Sequence, residues 1–237
     1  MSADPAFRRL LAVRHGQASF GSADYDRLSE TGWQQSRHLG DWLAGHGLRF
    51  DHVVSGSMRR HRETFEAIAE AYAARGIALP AADIDADLDE FDHRAVINAH
   101  LAGRPGECAA LAAVLGGAEK DAVARLLLEA IGQWSRGALD AEVSETWDAF
   151  GARVGRAGAR LAQRLEHGAV LVVSSGGTLS RLAQRALDAP CERAVELSIG
   201  LRNSAQCEFF ALGQSLRLGS WNALPHLAGQ RELWTHY

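Results

Sequence analysis

Phe7-Arg8-Arg9-Leu10-Leu11-Ala12-Val13-Arg14-His15-Gly16 is a short apolar run that stops at an arginine, a histidine and a glycine. Its length and the abrupt change to polar residues predict a buried strand, Phe7 to Val13, entering a loop. A second run of the same kind, Ala169 to Val173, leads into Ser174-Ser175-Gly176-Gly177-Thr178 and then a helix carrying Leu179, Leu182, Ala183 and Leu187. His52-Val53-Val54-Ser55 is a third, shorter strand. Helical spacing fills the intervals. Leu39, Trp42 and Leu43 share one helical face, and that helix starts near Ser29 or Thr31, where Thr31 and Gln34 have capping-box spacing. Met58, Phe65, Ile68 and Tyr72 mark another helix, closed by Gly76 and Pro80. Trp147, Phe150, Val154, Leu161 and Leu165 predict a helix over about 143–167. Strands alternating with helices give an α/β fold with a largely parallel sheet covered on both faces. Gln206 to Leu212 and Leu216 to Trp221 predict a terminal hairpin around Gly213. Ligands of such sheets bind beyond the carboxyl ends of the strands. Arg14-His15-Gly16 and Ser174 to Thr178 both stand at such ends.

The remaining chain narrows the function classes. With 237 residues, 47% of them hydrophobic, one domain spanning 1–237 can hold a substantial core. Residues 94–140, Ala- and Leu-rich and broken by Gly103, Pro105, Gly116 and Gly117, are expected to be a helical insertion that forms a lid or pocket wall or simply packs as core. A net charge of −4 argues against nucleic acid and anionic membranes as partners. Lys120 is the single lysine among the 25 Lys and Arg residues, a bias that points to a GC-rich bacterial genome. Cys108, Cys191 and Cys207 show no C-x-x-C spacing and fit a reducing cytoplasm. The run after Arg8-Arg9 is too short for a signal peptide or a membrane span.

The chemistry-bearing residues begin with Arg14-His15-Gly16. A neutral imidazole can attack phosphorus and form a phosphohistidine. An arginine fork binds phosphate oxygens, and its charge lowers the pKa of a neighbouring histidine. Glycine lets the backbone come close to an anion. The tripeptide alone is equally a histidine in a strand-end loop. The acidic run Asp83, Asp85, Asp87, Asp89 has Leu88 and Arg94 where an EF-hand needs its glycine and its last glutamate, so the run is not an EF-hand. His93 and His100 are not convincingly spaced for a metal. Val173 stands where a G-x-S-x-G elbow needs glycine, and no P-loop motif is present.

Val13-Arg14-His15-Gly16-Gln17-Ala18-Ser19, then Tyr25-Asp26-Arg27-Leu28-Ser29, then Gly32 and Gln35, resembles the opening of the histidine phosphatase (phosphoglycerate mutase-like) superfamily. The resemblance continues through Ser55 to Thr64, Leu88-Asp89-Glu90, the segment 169–182, and Trp221-Asn222 with His226-Leu227. It implies a three-layer α/β/α sandwich, no cofactor, no metal, and a small phosphorylated substrate. It implies that His15 is the phosphorylated nucleophile and that Arg14 lines the phosphate pocket. A second pocket arginine comes from Arg59-Arg60-His61-Arg62: spacing to Thr64 favours Arg60, and spacing from Ser55 favours Arg59. Glu90 matches the general acid. Gln17, Ser19 and Phe20 form the substrate loop.

One position departs from the pattern. The family carries a second histidine after the strand at 169–173, and here Ser175 occupies that place, followed by Gly176-Gly177. Ser175 and Gly176 are expected to bind phosphate through a hydroxyl and a helix-start amide. A hydroxyl supplies no positive charge, and removing a donor of this kind costs about 10² to 10³ in rate at comparable sites. The leading expectation is therefore a metal-independent phosphomonoester hydrolase. The alternatives are a catalytically weakened phosphate-binding or regulatory protein and, third, a mutase. Mutases of the family carry a Trp-Asn pair where Ser19-Phe20-Gly21 stands.

Overall fold

A computed structural model describes residues 9–19, 26–102, 104 and 120–236, with the backbone alone for 120–124. Six strands form one sheet in the order β3-β2-β4-β1-β5-β6. They are β1 (Arg9–Arg14), β2 (His52–Ser55), β3 (Ala82–Ile84), β4 (Val170–Ser174), β5 (Gln206–Leu212) and β6 (Ser215–Ala223). β1, β2, β3 and β4 run parallel, and β5 and β6 are antiparallel additions at one edge. Seven helices are described: α1 (Glu30–Gly45), α2 (Arg59–Ala73), α3 (His93–Leu101), α4 (Lys120–Ser135), α5 (Trp147–Leu165), α6 (Gly176–Ala186) and α7 (Cys191–Gly200).

Residue alternation along the strands divides the core in two. Leu11 and Val13 of β1, Val53 of β2, and Leu171 and Val173 of β4 face α1 and α2, meeting Leu39, Leu43, Ile68 and Tyr72. Leu10 and Ala12, Val54, and Val170 and Val172 point the other way, onto α5, α6 and their neighbours. Strand side chains alternate between faces, so both faces of these strands must be apolar once helices cover both. This is the expected three-layer α/β/α sandwich.

The structure settles the open helix start and adds elements that the sequence reading did not place. Of the two candidate starts for the first helix, Ser29 is the cap, its hydroxyl accepting the Gly32 N–H at 3.1 Å. The stretch after Asp83 contains part of β3 and a 3₁₀ turn, Ala86–Leu88. That strand is three residues long, at a sheet edge and largely exposed, so it leaves no periodic signal. α7 is a further helix, capped by Pro190 without a side-chain bond. α3 and α4 lie within the expected helical insertion, while residues 105–119 are outside the described region.

Trp134 of α4 is fully buried against Phe91, Trp147 and Phe150, with ring centroids 4.7, 5.0 and 5.6 Å away. Its indole N–H donates to the Glu145 carbonyl at 2.9 Å. It is core rather than pocket wall. No helix among the described residues is long and apolar enough to cross a membrane.

Candidate active site

Strand register assembles the site. Arg14 pairs with Ser174, so the next residues, His15 and Ser175, emerge side by side although 160 positions separate them. The His15 N–H donates to the Ser174 carbonyl at 2.9 Å, and the Gly56 N–H to that of Val173 at 3.0 Å. The carboxyl ends of β1, β2 and β4 thus meet at one edge.

The loop after β1 is clamped to α1 and α2. The Gly16 N–H donates to Thr64 Oγ1 at 3.0 Å. A Cβ on Gly16 would lie 2.8 Å from Ser36 Oγ and against the Gly32 carbonyl, so this glycine permits close packing on α1. Gln17 N–H donates to Gln35 Oε1 at 2.8 Å, and Gln17 Oε1 accepts the Ser29 hydroxyl at 2.8 Å. Ser19 Oγ donates to the Leu28 carbonyl at 3.1 Å. Gln17 and Ser19, expected in the substrate loop, tie that loop to the start of α1. Phe20 lies outside the described residues.

His15 is buried, and the bonding of its ring sets its tautomer. Nδ1 lies 2.7 Å from the Gly16 carbonyl oxygen, which can only accept, so Nδ1 carries the proton. Nε2 is left with its lone pair, receiving Arg60 Nε–H at 3.2 Å. Burial, then Arg60, Arg14 and His61, hold the imidazole pKa well below 6.5, against a weaker opposing effect of the Gly16 carbonyl. The ring is neutral at physiological pH, with Nε2 unprotonated.

Of the two candidate arginines, Arg60 reaches this ring. It is buried at the start of α2, its Nη1 paired with Asp26 Oδ1 at 2.6 Å and its Nη2 3.4 Å from Ser175 Oγ. Arg59 lies half outside and pairs with Glu63 Oε1 at 2.6 Å. Arg14 sends its guanidinium along the floor of the site: Nη1 donates to the Leu201 carbonyl and Nη2 to that of His236, the latter at 2.8 Å.

On the opposite wall, Ser175 is the N-cap residue of α6, and Gly176 is the first residue of that helix. Arg14 Nε would lie 3.4 Å from a Cβ on Gly176, so the arginine crosses the helix start. Glu90 Oε2 accepts the Gly177 N–H at 2.9 Å. The adjacent backbone is fixed by Thr178 Oγ1, which donates to the Asp89 carbonyl at 2.7 Å, and by Ser174 Oγ, which donates to that of Leu88 at 2.6 Å. A Cβ on Gly177 would collide with Glu90 and lie 2.7 Å from the Phe91 ring. His93 stands near Glu90, its pKa lowered by burial although Glu90 acts against this. His100 points elsewhere, to Gln133 Oε1 at 3.1 Å. Among the described residues no group of three or more metal-ligating side chains converges.

The arrangement places a neutral histidine, a buried arginine and a carboxylate around the ends of parallel strands. The sequence model of the histidine phosphatase superfamily (branch 1) matches residues 10–100 and 113–223. The chain belongs to the histidine phosphatase superfamily. No curated protein sequence matches it. Among solved structures it resembles a phosphoglycerate mutase from Bacillus anthracis (TM-score 0.64, 16% identity, covering 95% of this chain and 98% of that one). It also resembles a mycobacterial glucosyl-3-phosphoglycerate phosphatase (0.61, 22%, 91% and 99%). A third likeness is to a phosphoserine phosphatase variant from Entamoeba histolytica bound to phosphoserine (0.60, 15%, 92% and 98%). At these identities the likenesses bear on the fold.

As a histidine phosphatase superfamily member the chain has contacts that sequence reasoning did not assign. His61 is fully buried with Nε2 2.6 Å from Ser175 Oγ, and its ring centroid is 5.7 Å from that of His15. Asp26 holds Arg60. Ser204 N–H and Asn203 Nδ2 donate to the His15 carbonyl at 3.2 and 3.4 Å. His226 supports that floor, its Nε2 2.9 Å from Ser204 Oγ, with burial pushing its pKa down to about 3. Asn222 likewise bonds Arg202 N–H and the Gly200 carbonyl. Within the resembling stretch 221–227, His226 is the residue that supports the backbone beneath His15, through Ser204. His61 left one signal, a histidine directly after the pocket arginine, but nothing local shows which way it faces.

Proposed function

We propose that the chain is a metal-independent phosphomonoester hydrolase that works through a phosphohistidine on His15. The observation that carries this is the state of His15: Nδ1–H held by the Gly16 carbonyl, Nε2 unprotonated and turned to Arg60. The Nε2 lone pair attacks phosphorus and the ester P–O bond breaks. Glu90, as a carboxylic acid, protonates the leaving oxygen. The resulting carboxylate then takes a proton from water, whose oxygen attacks phosphorus as the P–N bond breaks, releasing inorganic phosphate.

Arg60 hands its Nε–H from the ring nitrogen to a phosphoryl oxygen, and Arg14 adds positive charge from the floor. Nucleophile, acid and cations all come from side chains, so the reading requires no metal. A cytoplasmic location and a small phosphorylated substrate belong to the same proposal.

The test is phosphate release from a panel including phosphoserine, phosphoglycerates and 4-nitrophenyl phosphate, with and without chelator. Turnover should survive chelation, with an acid-labile phosphoryl label on the protein. His15→Ala should abolish both, and turnover that persists in this variant overturns the mechanism.

A further inference from the structure

Ser175 occupies a helix N-cap, where a serine ordinarily accepts an N–H of its own helix, an arrangement worth about 1 kcal/mol. It does not do so here: its side chain makes no cap bond. Its Oγ turns instead to two side chains of α2, His61 Nε2 at 2.6 Å and Arg60 Nη2 at 3.4 Å. The space for His61 is made by Gly56, since a Cβ there would collide with Nδ1 and lie 2.8 Å from Asp89 Oδ1. The forgone cap and the missing Cβ thus serve one contact, 5.7 Å from the proposed nucleophile's ring.

The bonding pattern orients the protons. Among the described residues His61 Nδ1 has no hydrogen-bond partner. Asp89 Oδ1 is 3.7 Å away, too far for a hydrogen bond, and accepts the Ser57 N–H at 2.6 Å. An unpaired buried N–H is rarer than an unpaired acceptor, so the proton belongs on Nε2, where a partner exists. Burial, with Arg60 and Arg62, keeps this imidazole neutral at physiological pH. The long gap to Asp89 and the extended backbone of Ser175 (φ −110°) set the trio apart from a serine nucleophile with its base.

We propose that His61 is a positioning residue of the phosphoryl site: Nε2–H donates to Ser175 Oγ, and with Arg60 on the same oxygen the serine hydroxyl hydrogen is turned toward the phosphoryl group on His15. The second imidazole of the pocket comes from α2, acting through a serine at the end of β4. The pair makes and breaks no covalent bond; it supplies a directed donor. This inference rests on the phosphohistidine reading.

The test is a double-mutant cycle with 4-nitrophenyl phosphate as probe: wild type, His61→Ala, Ser175→Ala and the double variant, each checked for folding by thermal melting. Each single change should lower kcat by about 10- to 10²-fold with KM within about threefold, below the full effect of a direct donor. The double variant should be no slower than the slower single, because both remove one device. His61→Ala with Ser175→His should regain at least about tenfold, the new ring filling the vacated space.

Effects that multiply, or folded single variants within about twofold of wild-type kcat, overturn the relay. So does a folded His61→Ala/Ser175→His protein no faster than His61→Ala. Should the wild type carry no phosphoryl label on His15, the phosphohistidine reading fails and the relay with it. A labelled wild type with an unaffected His61→Ala variant removes the relay alone.

Discussion

Gly56 and Gly177 have matching tasks on opposite walls of the site. Each is a glycine because a side chain sits where its Cβ would be: His61 at Gly56, and Glu90 with Phe91 at Gly177. Gly177→Ala should force the Glu90 carboxylate away and cost about 1–3 kcal/mol through overpacking. The expected outcome is at least a tenfold fall in kcat with the fold retained, read from steady-state kinetics and a melting curve.

His15 gives a pH prediction of its own. Its pKa is held well below 6.5, so between about pH 7.5 and 6 its protonation takes no rate away. kcat/KM should therefore show no acid limb near 6.5 that belongs to His15. At this scale the sequence disclosed residue types and spacing. It left Arg59 and Arg60 open because both fit one motif, and only α2's rotation turns Arg60 inward.

Among the elements, α5 uses two of its faces. Its apolar stripe was legible from Trp147 to Leu165, and Trp147, Phe150, Val154, Leu161 and Leu165 are all buried. Its other stripe carries Arg156, Arg160 and Arg164, which pair with Asp87 at 2.8 Å, with Asp85 and Asp87 at 2.8 and 2.7 Å, and with Asp83 at 2.6 Å. Asp83, Asp85 and Asp87 of the acidic run that resembled a cation loop are thus paired with arginines spaced four residues apart.

Burial raises the Asp87 pKa, but Arg156 and Arg160 outweigh it and the net shift is down. The stability from Asp87 is therefore present above its ordinary 3.8 and lost as pH falls through its lower folded value. The arginines are partly exposed, so Arg160→Ala should cost no more than about 1 kcal/mol, with a larger loss at low than at high salt in urea melts. Trp134→Ala contrasts with this. Removing a fully buried indole should cost about 3–5 kcal/mol, measurable by the same melts, because a cavity is left among Phe91, Trp147 and Phe150.

Across the whole molecule, buried neutral histidines tie stability to pH. His15, His61 and His226 all have folded pKa values below 6.5. Below pH 6.5 the unfolded chain binds protons that the folded chain refuses, so stability falls as pH drops and levels off above that value. Each group adds a slope that approaches a limit of about 1.4 kcal/mol per pH unit below pH 6.5, for as long as its folded form stays unprotonated. Urea midpoints should decline steeply from about pH 6.5 to 5.5 and change little from about 7 to 8.

The sequence by itself determined the alternation of strands and helices, the two strand ends where chemistry collects, and the identity of His15 as the residue to watch. Periodicity and motif spacing are local properties, and those features are local. Only the tertiary structure decided that His61 meets Ser175, that Arg14 crosses to the Leu201 and His236 carbonyls, and that the floor under His15 is built from Asn203, Ser204 and His226. Each of these joins residues far apart in the chain, and their meeting depends on strand order and helix rotation, which no local pattern encodes.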